Sequence, residues 1–193
     1  LGARHASGDV LIFLNDDVVP LDPGWLEALV AQAERPEVGV AGARLVYPNG
    51  AIQHAGMAVG IGHGTGHPQR DTFGAGYWPW WGVTREVSAV TGACLAIRAN
   101  LFHQLGGFDT RFPINYNDAD LCLRARQARY AVIYEAAAYL RHDECHTRRS
   151  GVRFAEHAVW QQTWGGITDP YYSIHLDPAG EQAGLRESAP APL

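Results

Sequence analysis

The chain has 193 residues, of which 47% are hydrophobic and 18% are charged, a balance typical of a globular domain. Its formal net charge is −5 and its basic residues form no continuous run, which argues against nucleic acid as a partner. No apolar run approaches the ~20 residues of a membrane helix, and the 3 cysteines, widely spaced and without a C-x-x-C motif, favour a reducing compartment.

Strand and helix patterns alternate along the chain and predict an α/β fold. The apolar run 9–14 predicts a buried strand, and a helix is predicted next, with Asp22 as its cap, Pro23 in its first turn and its end before Pro36. Further strands are predicted over residues 38–43, 52–59, 86–90, 93–98 and 131–135. Further helices are predicted over residues 100–105, 118–130 and 151–164. Residues 60–82, rich in Gly, His, Trp and Pro, are predicted to form a long loop.

Two acidic pairs stand at the ends of predicted elements. Asp16 and Asp17 follow the first strand, and Asp118 and Asp120 open the helix predicted over 118–130. Carboxylates at the C-terminal end of a strand lie where open α/β sheets bind ligands. One site could hold a metal ion on a phosphorylated ligand, and the other could remove a proton from an attacking group. Capping of the following helices is the simpler alternative for both pairs.

The string SGDVLIFLNDD at residues 7–17 resembles the segment around the D-x-D motif of family 2 glycosyltransferases, the inverting enzymes with the GT-A fold. Similar segments follow in the family's order: GVAG at 39–42, LVYPNGAIQHAG at 45–56, TGACLAIR at 91–98, GGFD at 106–109, NDADLCLR at 117–124 and HDECHTR at 142–148. The chain looks most like the branch that adds rhamnose and similar sugars to bacterial surface polysaccharides.

The resemblance implies a nucleotide-diphospho-sugar transferase (Rossmann-like) fold with a mostly parallel sheet flanked by helices. Residues 1–170 would form a partial GT-A domain without the N-terminal nucleotide-binding segment, and residues 171–193 a poorly ordered tail. The implied function is metal-dependent transfer of a sugar to a hydroxyl of a saccharide or lipid-linked acceptor in cell-surface polysaccharide synthesis. We expect a cytoplasmic location, with peripheral association at the inner face of the membrane left open.

The resemblance also implies roles for individual residues. The metal ligands would be Asp17 and His142, holding Mn²⁺ or Mg²⁺, and the catalytic base would be Asp118. The donor would contact Asn15, Asp16 and Arg148. The acceptor side would include Asp109, Asp120, Trp80 and Trp81.

Several alternatives stay open from the sequence. Asp120 pairing with Arg124 is favoured over a catalytic role, and a turn-stabilising role for Asp109 is as well supported as an acceptor contact. The tryptophans could simply pack the loop onto the core. A zinc site at His142, Cys145 and His146 lacks a standard ligand spacing. A different class of function is a noncatalytic fragment or binding module, whose exposed sheet edge would favour a homo-oligomer.

Overall fold

The computed structural model describes residues 2–73, 80–144 and 154–180. Within these ranges the strands are β1 (Val10–Leu14), β2 (Val18–Pro20), β3 (Val38–Val46), β4 (Ile52–His54), β5 (Ala58–Val59), β6 (Thr65–Gly66), β7 (Arg85–Glu86), β8 (Cys94–Arg98) and β9 (Ala131–His142). The α-helices are α1 (Trp25–Ala33), α2 (Ala99–Gln104), α3 (Asn117–Gln127) and α4 (Phe154–Trp164). Short 3₁₀ helices cover Gly2–Arg4 and Trp80–Gly82.

The central sheet runs in the order β1-β8-β3-β9-β2, with β4 added beside β3 and β7 beside β9. The α/β class is confirmed, but the expectation of a mostly parallel sheet needs correction for the described strands. Of their pairings, only that of β3 with β9 is parallel. The reason is that β2, β4, β7 and β8 each lie antiparallel to the strands with which they pair, an arrangement that needs no helical crossover between paired strands.

The sheet is covered on both faces by helices. Neighbouring residues of β3 point to opposite sides, so that Val40 joins one apolar cluster and Ala41 the other. The cluster around Ala41 includes the fully buried Leu29 of α1, whereas the cluster around Val40 includes residues of α2, α3 and α4. Burying one side chain such as Leu29 contributes about 1.5–3 kcal/mol to folding. Each face of the sheet has its own set of buried side chains, so both faces stabilise the fold.

Several element boundaries differ from the sequence-based predictions. The strand predicted over 52–59 divides into β4 and β5 because Gly56 adopts a φ of +92°, outside the extended region. In α1 the helix begins at Trp25, since Asp22 accepts a hydrogen bond from the amide of Gly24 in a turn before the helix. The strand predicted over 131–135 extends to His142 because it pairs with both β3 and β2.

Further differences concern the loop and the strand predicted over 86–90. The short pair β5–β6 and the 3₁₀ turn at Trp80–Gly82 lie inside or at the edge of the predicted loop 60–82. Of the strand predicted over 86–90 only the start is present, in β7. Among the residues with described positions, no helix is long and apolar enough to cross a bilayer. The predicted tail stays a prediction, and its residues 181–193 lie outside the described part of the chain.

Candidate active site

A cleft of about 470 Å³ opens where β1 and β9 end and α3 begins. Five separate parts of the chain bring polar groups to its wall: the residue after β1, the segment 65–70, the turn before β8, the start of α3 with the loop before it, and the end of β9. The polar and charged residues that line it are Asn15, Thr65, His67, Arg70, Thr91, Asn115, Tyr116, Asn117, Asp118 and His142. Phe13, Met57 and Phe108 add an apolar wall. The cleft therefore combines convergent polar groups with an apolar surface, as ligand sites do.

Asp17 and His142 meet at one end of the cleft. Antiparallel pairing of β2 with β9 sets Val18 opposite His142, and the amide of Asp143 donates to the carbonyl of Asp17. The Oδ1 atom of Asp17 consequently lies 3.1 Å from Nε2 of His142, and the two side chains are only 17% and 13% exposed. Asn15 completes this corner, with its Nδ2 atom 3.4 Å from the same ring nitrogen.

This corner offers two protein ligands of the kind that Mn²⁺ or Mg²⁺ accepts. A carboxylate oxygen and an imidazole nitrogen lie side by side, and phosphate oxygens and water would supply the remaining ligands. Among the described residues, no group of three or more His, Cys, Asp or Glu side chains could enclose a metal ion by itself. The donor set therefore fits a cation shared with a bound phosphorylated ligand.

Asp118 occupies the first turn of α3 on the other side of the cleft. Its Oδ2 atom accepts a 2.7 Å hydrogen bond from the amide of Gly92, and its Oδ1 atom accepts one of 2.8 Å from the amide of Ala119. The N-terminal end of the helix also favours a negative charge at this position. Because an ionised carboxylate has about four acceptor positions, Asp118 keeps capacity for a hydroxyl in the cleft.

The loop before α3 is held in an unusual conformation. Tyr116 has a φ of +64°, a left-handed value that costs about 1 kcal/mol or more for a residue with a side chain. Its ring stacks on Trp160 of α4 at a centroid distance of 4.7 Å. Glu156, also from α4 and 3% exposed, accepts hydrogen bonds from the amides of Ile114 and Asn115 and from the Asn115 side chain. Helix α4 therefore braces the segment that presents Asp118.

A buried histidine pair, His54 and His67, stands beside the cleft, and His67 is the member that lines it. Nδ1 of His54 lies 3.0 Å from Nδ1 of His67, so that one ring donates and the other accepts. Burial, with additional repulsion from His67 and Arg85, holds the pKa of His54 well below its ordinary value. Burial, together with Arg70, lowers the pKa of His67 to about 4. The pair therefore stays uncharged at neutral pH.

The structure places some predicted site residues at the cleft and others away from it. Asn15, Asp118 and His142 line the cleft, and Asp17 contacts His142. Asp16 is exposed at the same turn. Arg148, Cys145 and His146 lie outside the described residues, so the donor contact and the zinc alternative stay predictions.

The residues expected on the acceptor side are elsewhere. Asp120 is 1% exposed and is bound by Arg124 at 2.7 Å and by the indole nitrogen of Trp164 at 2.9 Å, so it stabilises the α3–α4 contact instead of lining the cleft. Asp109 pairs with Arg111 in its own turn, and that pairing lowers the pKa of Asp109.

Trp80 and Trp81, the two tryptophans expected on the acceptor side, do not line the cleft either. Trp80 is 38% exposed and lies near Arg85, with the guanidinium 5.6 Å from its ring. Trp81 packs against the core, and the guanidinium of Arg44 is 5.1 Å from its ring centroid. Their placement favours the packing alternative over an acceptor contact.

Sequence reasoning missed several residues of the site. Gln53 and His54 lie inside the quoted segment 45–56 but received no role, and His67 and Glu156 carried no local signal. Two adjacent polar residues within the predicted strand 52–59 are the one pattern that could have singled out Gln53 and His54. The positive φ of Tyr116 could not be predicted, because tyrosine is not a residue type that favours a left-handed backbone.

Comparisons with known proteins find relatives of this chain among glycosyltransferases. The model of the family described as "Glycosyl transferase family 2" matches residues 1–104. "O-antigen biosynthesis protein RfbC" of Myxococcus xanthus is 38% identical over 197 residues, which is 95% of this chain and 15% of that protein. "N-acetylglucosaminyl-diphospho-decaprenol L-rhamnosyltransferase" of Mycobacterium tuberculosis is 29% identical over 153 residues, which is 72% of this chain and 48% of that protein.

The fold is similar to that of a solved glycosyltransferase. The crystal structure of GalNAc-T7 with UDP, GalNAc and Mn²⁺ matches with a TM-score of 0.56 at 17% identity, covering 74% of this chain and 29% of that one. At this identity the likeness establishes the fold alone. The chain thus spans between 15% and 48% of the length of the two curated relatives described above.

Proposed function

Because this chain belongs to glycosyl transferase family 2, whose model matches it over residues 1–104, we propose that it forms the catalytic part of a metal-dependent, inverting glycosyltransferase. The reaction moves a sugar from a nucleotide-diphospho-sugar to a hydroxyl of a saccharide or lipid-linked acceptor. The observation that carries the proposal is that one cleft is lined both by His142, whose ring forms a candidate cation corner with Asp17, and by a separate carboxylate, Asp118.

In this proposal the cation corner serves the leaving group. Asp17 and His142 would hold Mn²⁺ or Mg²⁺, which when bound offsets the charge that develops on the departing diphosphate. Asn15, which lines the cleft beside His142, would contact the ribose or phosphate side of the donor, as would the exposed Asp16. The Mn²⁺ and UDP named for the GalNAc-T7 structure are consistent with such a site. Arg148 stays a proposed diphosphate contact.

Asp118 would act on the acceptor. As the acceptor hydroxyl oxygen forms a bond to the anomeric carbon, its proton passes to the Asp118 carboxylate, and the bond to the diphosphate breaks with its electrons leaving on the nucleotide. Attack on the face opposite to the leaving group inverts the anomeric centre. The two backbone hydrogen bonds from Gly92 and Ala119 keep the carboxylate in position during this step.

The names of the relatives support a role in surface polysaccharide synthesis. One relative is described as an O-antigen biosynthesis protein and another as a rhamnosyltransferase acting on a diphospho-decaprenol. We propose the same class of acceptor here, a saccharide carried on a lipid. Work on such an acceptor would bring the protein to the cytoplasmic face of a membrane as a peripheral component.

The transfer step can be tested by changing Asp118 to Asn in the intact protein. We expect kcat to fall by about 100- to 10,000-fold, the usual contribution of a general base, while donor affinity is retained. Asp22→Asn is the matched control, because it makes the same chemical change in a turn away from the cleft. Near-native turnover by Asp118→Asn would rule out Asp118 as the base.

A second candidate function is a donor-binding part that does not transfer sugar by itself. It is favoured by the edge strand β1, which among the described strands pairs only with β8, and by the 45% exposure of Leu14 at its end. An open apolar edge promotes association with another chain. Residues 1–193 alone would then form dimers or larger species with weak activity, and a monomer with robust turnover would contradict this candidate.

A further inference from the structure

We infer that Gln53 is a positioning residue that selects the ring tautomer of His142 and directs the unprotonated Nε2 atom toward Asp17. Its side-chain oxygen lies 2.7 Å from Nδ1 of His142, on the side of the ring opposite to Asp17. The effect of Gln53 on metal affinity depends on the proposed function, whereas its effect on the ring tautomer does not.

The orientation of the Gln53 amide follows from its second neighbour. The Nε2 atom of Gln53 lies 3.4 Å from a carboxylate oxygen of Glu144, and a carboxylate can only accept. The amide nitrogen must therefore face Glu144, which leaves the amide oxygen facing His142. Gln53 is 7% exposed on β4, so packing restrains its side chain. Arg70 in turn lies 3.4 Å from the same carboxylate and restrains Glu144.

The contact with the Gln53 oxygen decides which ring nitrogen of His142 carries the hydrogen. Because the Gln53 oxygen accepts, Nδ1 of His142 must carry a hydrogen and donate it. In the neutral ring Nε2 is then an acceptor, and it faces the Asp17 oxygen at 3.1 Å. A hydrogen bond between these two atoms would need a second proton on the ring, whereas a divalent cation bound by both atoms would hold them together with the ring neutral.

The same arrangement explains why a buried amide is useful here. Histidine ligands of metal ions commonly donate their second ring N–H to a carbonyl or carboxylate, which fixes the ring and strengthens the ligand nitrogen. The Gln53 side chain supplies that oxygen without adding a negative charge beside Glu144. Gln53 itself does not line the cleft among the residues whose positions are described, so it acts through His142.

The inference can be tested on the metal-free chain by long-range ¹H–¹⁵N NMR of the histidine rings, with His142→Gln used to assign the signal. We expect the wild-type ring to carry its proton on Nδ1. Gln53→Met removes the acceptor at nearly constant length, and we expect it to give a mixture of tautomers. Gln53→Glu keeps an acceptor oxygen and should keep the wild-type tautomer. Gln104→Met, at an exposed position of α2, is the matched control.

A parallel titration with Mn²⁺ alone, followed by the EPR signal of the free ion, measures the consequence for the metal. We expect Gln53→Met to weaken Mn²⁺ binding by about 10- to 100-fold and Gln104→Met to leave it unchanged. A wild-type ring protonated on Nε2, or a Gln53→Met variant with an unchanged tautomer and unchanged affinity, would overturn the inference. If Mn²⁺ binds neither alone nor together with UDP while the tautomer is as expected, the proposed cation site is contradicted and the role of Gln53 in orienting the ring is supported.

Discussion

Acidification should destabilise this fold through the histidine pair His54 and His67. His54 is 1% exposed, and its Nδ1 atom lies 3.0 Å from Nδ1 of His67, so the folded state holds both rings neutral. Burial and neighbouring positive groups hold the pKa of His54 well below its ordinary value and lower that of His67 to about 4. Unfolding would release both rings to an ordinary pKa of about 6.5.

The sign and size of the effect follow from these shifts. Because both folded-state pKa values are depressed, the unfolded state binds protons first as the pH falls below about 6.5. The stabilisation from the neutral pair is complete above that pH and is lost as the pH falls toward 4. One pH unit below the unfolded pKa corresponds to about 1.4 kcal/mol per histidine, which gives about 2–3 kcal/mol for the pair after allowing for the partial exposure of His67.

Urea unfolding between about pH 7.5 and about pH 5.5 measures this loss. The His67→Gln variant should lose about 1 kcal/mol less than the wild type over the same range, since it has one fewer group to protonate on unfolding. His103→Gln, at an exposed position of α2, should retain the wild-type dependence of the free energy of unfolding on pH. Equal slopes for the wild type and His67→Gln would refute the account of a neutral buried pair.

Two further predictions concern the helices behind the cleft. Glu156→Ala should lower the free energy of unfolding by about 2–4 kcal/mol because it leaves buried donors of the Asn115 loop without their acceptor, and chemical denaturation with Glu156→Gln as a milder comparison measures it. Asp120→Asn should cost about 3 kcal/mol by leaving Arg124 without its buried counterion, yet leave donor affinity unchanged in the folded protein. A loss of transfer activity without a loss of stability in Asp120→Asn would return that residue to the acceptor side of the site.

The main elements of the sheet could be predicted from the sequence where the local pattern was strong. The apolar run of β1 and the cores of β3 and β8 were recognised because short apolar segments bounded by polar residues are typical of buried strands. The strand β2 was missed because its three residues end in Pro20 and gain their order only by pairing with the edge of β9. Residues 136–138, all alanine, give β9 no strand signal, and they lie at a register shift between the segments 131–135 and 139–141 that pair with β3.

The candidate site was predictable in its carboxylates but not in its supports. Asp17 follows a recognisable strand and Asp118 stands at the start of a recognisable helix. The resemblance to family 2 glycosyltransferases then predicts a role for each. The contact of His142 with Asp17 spans a long stretch of sequence and arises only from the β2–β9 pairing. The acceptor-side predictions for Asp109 and Asp120 are not supported because each carboxylate is bound by a nearby arginine, an outcome that sequence spacing alone left open.

The most direct test of the central claim is calorimetric binding of nucleoside diphosphates to the intact protein with and without Mn²⁺. We predict binding that depends on Mn²⁺, that weakens at least about 10-fold in Asp17→Asn and His142→Gln, and that is unchanged in Asp118→Asn, because ligand loss removes part of the cation site whereas the base acts only on the acceptor. Nucleotide binding that is indifferent to Mn²⁺ and to the change at Asp17 would contradict the assignment of this corner to the leaving diphosphate.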